Sequence, residues 1–359
     1  MQHKFGALDL IRAGLQDLDR ARTLFDELHN DGIDDDRMRL LLATLEKACD
    51  PDIALSNLVD IIKVMQSQGK DFTNIIADEN SFVRLITVLG VSDEMGKLMR
   101  FRPELVEAAA NDACESHLYN HEQRRAHVLK SVGADPNDHT MPTASLPLAE
   151  AATALRKTYR KQLAAIMAQD ATANDPIEIQ PRISTELSDL ADAALEGALA
   201  IARHEVDGSE HVRFAIIGMG KLGAQELNYV SDVDLIYVVE PADMDTNGMA
   251  LSRIGTKMAT TLQRVCQSVI MGVAEPTLWQ IDGGLRPEGK DGPLVRRLES
   301  HEAYYEQWAE NWEFQALLKA RPLAGDTDLG QAYMDMTRPF VWTASKRDNF
   351  VYDCQQMRK

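Results

Sequence analysis

Apolar residues recur at three- and four-residue spacing through most of positions 1–205, as in DRMRLLLATLEKAC, SNLVDIIKVMQS and TELSDLADAALEGALAIARHEV. That period puts them on one face of an α-helix. Clusters of Gly, Pro, Asn and Asp at HNDGIDDD, GADPNDHTMPTASLP and ANDPIEIQP interrupt it,. The breaks predict a helical region over 1–133 and a pair of long helices over 134–206. Between Val212 and Leu298 the pattern changes to short apolar runs, RFAIIG, DVDLIYVVE and PTLWQIDGG, which read as strands of a sheet core over 207–298,. A helix from about Met249 to Val269 separates the second run from the third. From Glu299 the pattern is helical again, with Tyr304, Trp308, Trp312, Ala316 and Ala320 at every fourth position. This stripe reads as core packed against the sheet, not as a platform for stacking bases. The C-terminal helical region, 299–359, stops in mid-pattern at DNFVYDCQQMRK without a capping glycine, so a longer natural chain is expected,. The expected fold class is α+β, predominantly helical, with a small mixed sheet embedded in helical domains.

At 359 residues, two or three domains are expected,. The 56 acidic against 38 basic residues give a net charge of −18, which opposes non-specific binding to nucleic acid or to an anionic membrane,. Neither is expected as a partner. No apolar run reaches the length of a membrane span, and HKFGALDLIRAGLQ has none of the features of a secretory signal, so a cytoplasmic location is expected,. Cys49, Cys114, Cys266 and Cys354 are scattered, as reduced thiols are,. Cys114, His117 and His121, with His127 beyond, imitate a zinc site. Helical spacing accounts for their proximity, and no second ligand pair stands at finger-like distance,.

The stretch GMGKLGAQELNYVSDVDLIYVV, 218–239, holds the densest chemistry. Gly218, Gly220 and Gly223 have the G-x-G-x-x-G spacing of a dinucleotide turn, and Glu240 lies at about the distance of a ribose-binding acid,. A βαβ unit, however, takes about 30 residues. Only AQELNYVS separates the last glycine from the next strand. The dinucleotide reading is therefore set aside. Asp232 and Asp234 open a β-prone run, and alternation points both carboxylates to one face. Two such groups repel unless a cation lies between them, and Mg²⁺ is the oxygen-seeking ion commonly held this way. Alone, the pair also fits two acids at a solvated strand end. Asp282, followed by Gly283, Gly284, Arg286 and Lys290, supplies a third acid and a basic rim for a phosphate pocket,.

Three ordered motifs, G-x-G-K-L-G-x-x-E-L-N-x-x-S-D-x-D-L, D-x-x-L-R-P-x-G-x-x-G-P-L-V and W-E-x-Q-A-L-L-K-A-R-P, resemble the glutamine synthetase adenylyltransferase/adenylyl-removing enzymes. These are DNA polymerase beta-like nucleotidyltransferases with two related halves. The wording ELNYVSDVDL, with Asn228 and the initial Met1, is similar to the N-terminal, adenylyl-removing half. The resemblance implies Asp232, Asp234 and Asp282 as catalytic acids holding two Mg²⁺ ions. Gly218, Gly220, Lys221, Gly223, Ser231 and Arg286 would contact the substrate phosphates. It implies phosphate and ADP, or ATP, as small substrates, glutamine synthetase as protein substrate, and a nitrogen-signalling protein as a further partner. Removal of AMP by phosphorolysis is the expected reaction. AMP transfer from ATP, or a non-catalytic docking role, are the alternatives. Lys319 and Arg321 fall in the third motif without an evident role. Many members carry arginine two residues after the third acid, where this chain has Gly284.

Overall fold

The computed structural model describes residues 5–70, 72, 78–110, 119–243 and 247–356. It is predominantly helical with one small mixed sheet. The chain divides into two compact units, Met1–Leu118 with Arg160–Ile183, and Tyr119–Tyr159 with Ser184–Lys359.

In the first unit the acidic breaks between apolar stretches are helix starts. Asp17, Asp34, Asp50 and Asp78 each accept a hydrogen bond from a backbone N–H of the helix that follows, and Ser92 does the same. These side chains satisfy donors that a first turn leaves without partners. Leu55, Leu58, Ile61, Ile62, Phe82, Leu85, Ile86 and Leu89 form the centre of this unit's core. The predicted long helices are Leu148–Ala171 and Pro176–Glu205.

The sheet lies wholly in the second unit. Strand β1 (Val212–Gly218) pairs antiparallel with β2 (Val233–Pro241), from Val212 opposite Pro241 to Gly218 opposite Leu235. A dinucleotide βαβ unit needs parallel strands at this point, so the antiparallel pairing rules it out. On its far edge β2 carries β3 (Ile281–Asp282) and β4 (Val295–Arg296), both parallel to it. Strand β5 (Arg321–Gly325) pairs antiparallel with the free edge of β1. One sheet face presents Ala215, Ile217, Met219, Ile236 and Val238 to Tyr305, Phe314, Leu317, Leu329 and Tyr333 of the C-terminal helices. On the other face the rings of Phe214 and Tyr237 pack 5.7 Å apart, and Gln263 of helix Gly248–Gln267 reaches the Tyr237 hydroxyl. Burial on both sides explains why FAIIG and LIYVV lack polar alternation.

The helical region expected after Glu299 is broken by a strand. It forms Leu298–Gln307 and Asn311–Leu317, then β5, then Thr327–Thr343. Trp308, expected in the core, stands at the break and is 73% exposed, while Tyr305, Phe314 and Leu317 are the residues that fill the core. The run PTLWQIDGG contributes only the two residues of β3.

Candidate active site

The parallel register of β2 and β3 sets Asp234 directly beside Asp282. In-register neighbours project to the same face, and Asp232, exposed just before β2, is near enough for its charge to act on Asp234. Asp234 is half-buried. Burial is the first cause that holds its pKa above the ordinary carboxylate value, followed by the charges of Asp232 and Asp282, with Lys221 opposing. A half-buried carboxylate pressed by the charges of two others is a hard-oxygen donor set that fits a divalent cation,.

A raised carboxylate pKa in the folded state means that ionised Asp234 costs stability. The cost is absent below the unfolded value and fully present above the raised one. Without divalent ions at neutral pH, Asp234→Asn should therefore melt at a higher temperature than the parent chain. The same substitution should weaken Mn²⁺ binding about tenfold or more by calorimetric titration, the scale of losing one ligand from a small carboxylate set. Unchanged Mn²⁺ affinity would remove Asp234 from the donor set.

The glycine turn reaches this cluster from β1. The Met219 N–H donates to the Asp234 carbonyl at 2.9 Å, which ties the turn to β2. Gly220 has φ +56°, and a methyl there would stand 2.6 Å from Asp234 Oδ2. Only glycine lets the backbone lie this close to the carboxylate. Lys221 follows on the exposed side, Ser231 is half-buried just before Asp232, and Gly218 is buried at the end of β1. Gly223 backs directly onto the Lys319 carbonyl oxygen.

Arg286 faces elsewhere. Its guanidinium donates to the carbonyls of Gly283 at 2.7 Å, Lys290 at 3.1 Å and Gly292 at 3.1 and 3.3 Å, so it braces its own loop. A phosphate role for Arg286 would have to displace these bonds. Gly284 N–H donates to Asp282 Oδ1 at 2.7 Å, and a methyl at this position would stand 2.9 Å from the same oxygen. The backbone of Gly284 thus orients Asp282. Glu240 is engaged by Arg297 and by the Leu298 N–H.

The family model of glutamate-ammonia ligase adenylyltransferase matches residues 82–336. The chain belongs to that family. A bifunctional glutamine synthetase adenylyltransferase/adenylyl-removing enzyme of Bifidobacterium longum (strain DJO10A) is 74% identical over 356 residues, covering 99% of this chain and 33% of that protein. Its namesake in Cutibacterium acnes is 40% identical over 352 residues, covering 98% of this chain and 35% of that protein. The chain spans about a third of the length of the curated relatives it matches.

In this member of the adenylyltransferase family the glycine turn has neighbours that the motifs do not reveal. Asp192, buried on helix Pro176–Glu205, meets the Arg321 guanidinium at 2.6 and 3.2 Å. Gln225 donates to Asp189 at 3.1 Å. The ligand atoms of His121, Asp189 and Asp192 lie within 4.8 Å of one another, a spacing a metal could use. Yet both Asp192 oxygens already accept from Arg321, and a guanidinium there opposes a second cation,. His121 instead sits 3.5 Å from Asp192, which raises its pKa chiefly by hydrogen bonding. Cys114 and His117, which imitate a zinc site with it in the sequence, lie outside the described residues. No helix among the described residues is long and apolar enough to cross a membrane.

Proposed function

We propose that this chain removes AMP from an adenylylated tyrosine of glutamine synthetase by phosphorolysis. The observation that carries the reading is the meeting of Asp234, pressed by the charges of Asp232 and Asp282, with the tight glycine turn: Asp234 lies in register with Asp282, and Gly220 stands close to its Oδ2. An oxygen of hydrogen phosphate attacks the α-phosphorus of AMP-tyrosine. The new P–O bond makes ADP, the bond to the tyrosyl oxygen breaks, and that oxygen takes up a proton. Asp232, Asp234 and Asp282 would hold two Mg²⁺ ions, whose charge shields the phosphates and supports a departing phenolate of ordinary pKa about 10. The chain's own work is positioning and proton handling. The Gly218–Gly223 turn offers close backbone approach to phosphate, Lys221 offsets its charge, and Ser231 borders the acids. Asp282, oriented by Gly284, takes the proton of the attacking phosphate.

The names of the relatives, each bifunctional, leave the forward transfer from ATP as the competing direction. The test incubates the chain with glutamine synthetase carrying labelled AMP, in Mg²⁺, with and without phosphate. Loss of label only with phosphate supports the reading. Label gained by the unmodified protein from ATP would reassign the chain to the forward reaction, and release of free AMP would make it a hydrolase. A nitrogen-signalling protein is proposed as a further partner on the family resemblance alone.

A further inference from the structure

We propose that Asp192 and Arg321 are positioning residues, a clamp that closes the far end of the glycine turn and so holds Gly220 and Lys221 against the acids. The proposal rests on the nucleotidyl-transfer reading for its effect on rate, but its geometry stands without it.

Arg321 binds Asp192 as a fork on a fork, Nη1 to Oδ2 at 2.6 Å and Nη2 to Oδ1 at 3.2 Å,. Its other donors continue to the turn: Nη2 reaches the Leu222 carbonyl at 3.1 Å and Nε the Gly223 carbonyl at 3.2 Å. These carbonyls end the four-residue helical turn Gly220–Gly223, where the oxygens have no partner within the helix,. So short a helix does not hold its own shape, because one hydrogen-bonded turn costs more order than it returns. External support is therefore required. Further contacts come from the same two directions. Lys319 donates to Glu226 at 2.6 Å, Gln225 to Asp189 at 3.1 Å, and the Leu227 N–H to Ser188 at 3.4 Å. The opening end of the turn touches Asp234, and the carbonyls of its closing end are tied to helix Pro176–Glu205 through the Arg321 guanidinium, with Gln225 and Leu227 bonded to the same helix just beyond.

Arginine is specific for this task. The Asp192 side chain is 1% exposed and needs a cation, which lysine supplies,. A single ammonium, however, cannot bind both carboxylate oxygens and both carbonyls in one plane. Arg321→Lys should keep the buried pair and the fold while loosening the turn, whereas Arg321→Gln strands a buried charge and risks unfolding.

The test compares the parent chain with Arg321→Lys by amide hydrogen exchange and by turnover on adenylylated glutamine synthetase with Mg²⁺ and phosphate. The turn amides Gly223, Ala224, Gln225 and Glu226, which donate to Met219, Gly220, Leu222 and Lys221, report its order. They should exchange about tenfold faster in the variant while β1 and β2 keep their protection. Turnover should fall about ten- to a hundredfold, with KM for the protein substrate within about threefold, as for a small misplacement of reacting groups. Parental exchange in the turn, faster exchange with parental turnover, or uniform acceleration through the sheet would each overturn the proposal. Should the parent chain form no ADP from the adenylylated protein, exchange alone decides. A loosened turn would then uphold the clamp while the reaction reading falls, and an unchanged turn would remove both.

Discussion

Asp282→Asn should lower turnover on adenylylated glutamine synthetase by about two or more orders of magnitude, the scale of losing an acid/base or metal-holding group. Its KM for the protein substrate should stay within about threefold. Asp282 stands in register with Asp234, and in the proposed reaction it would act on the phosphates and not on the surface of a large protein partner. An interaction made only in the transition state changes kcat and leaves affinity alone. Asparagine has the same shape, and its oxygen can still accept the 2.7 Å hydrogen bond from the Gly284 N–H, so the loop should keep its form. Steady-state kinetics beside a thermal melt separate the cases. Parental kcat in a folded variant would remove Asp282 from the chemistry.

The largest effect on folding is expected at Gly223. A methyl there would run directly onto the Lys319 carbonyl oxygen and stand 2.5 Å from that of Gly218. Both obstacles are backbone, and Gly218 is paired with Arg321 across β1 and β5, so neither can yield without parting the strands. Gly223→Ala should lose about 3 kcal/mol or more, as severe overpacking does. In a unit of this size that lowers the melting midpoint by about 6–12 °C. Gly220→Ala provides the contrast, because its methyl would meet the mobile end of a side chain, Asp234 Oδ2. It should melt nearer the parent yet bind Mn²⁺ more weakly. A Gly223→Ala chain as stable as the parent would mean that the turn is not packed as described.

Strand alternation predicts Asp232 and Asp234 on one face; β2 begins only at Val233, and the charge of Asp232 acts on Asp234 from just before it. The neighbourhood of Asp282 was only half legible. Its partnership with Asp234 depends on a strand of two residues whose first N–H is held by the side chain of Gln267, and no periodicity records such a contact. Strand β5 was hidden for a related reason. RPLAG contains Pro, Ala and Gly, poor strand formers, and its extended state comes from pairing with the free edge of β1,. The aromatic stripe was partly legible: Tyr304, Ala316 and Ala320 pack against the core that Tyr305, Phe314 and Leu317 fill, whereas Trp308 falls at the break between two helices and is exposed, as a strict four-residue repeat drifts about 40° per step around a helix of 3.6 residues per turn,. Arg321 was visible within a motif but not in its role, for its partner Asp192 lies 129 positions earlier.

The account is tested most directly by the fate of phosphorus. The chain is incubated with Mg²⁺, adenylylated glutamine synthetase and ³²P-labelled inorganic phosphate, and the nucleotide released is separated and counted. Phosphorolysis at the carboxylate cluster predicts ADP labelled at its β-phosphorus, formed in step with loss of AMP from the protein and abolished by Asp234→Asn. Unlabelled AMP as the product, or labelled ADP formed equally well by the Asp234→Asn chain, would contradict it.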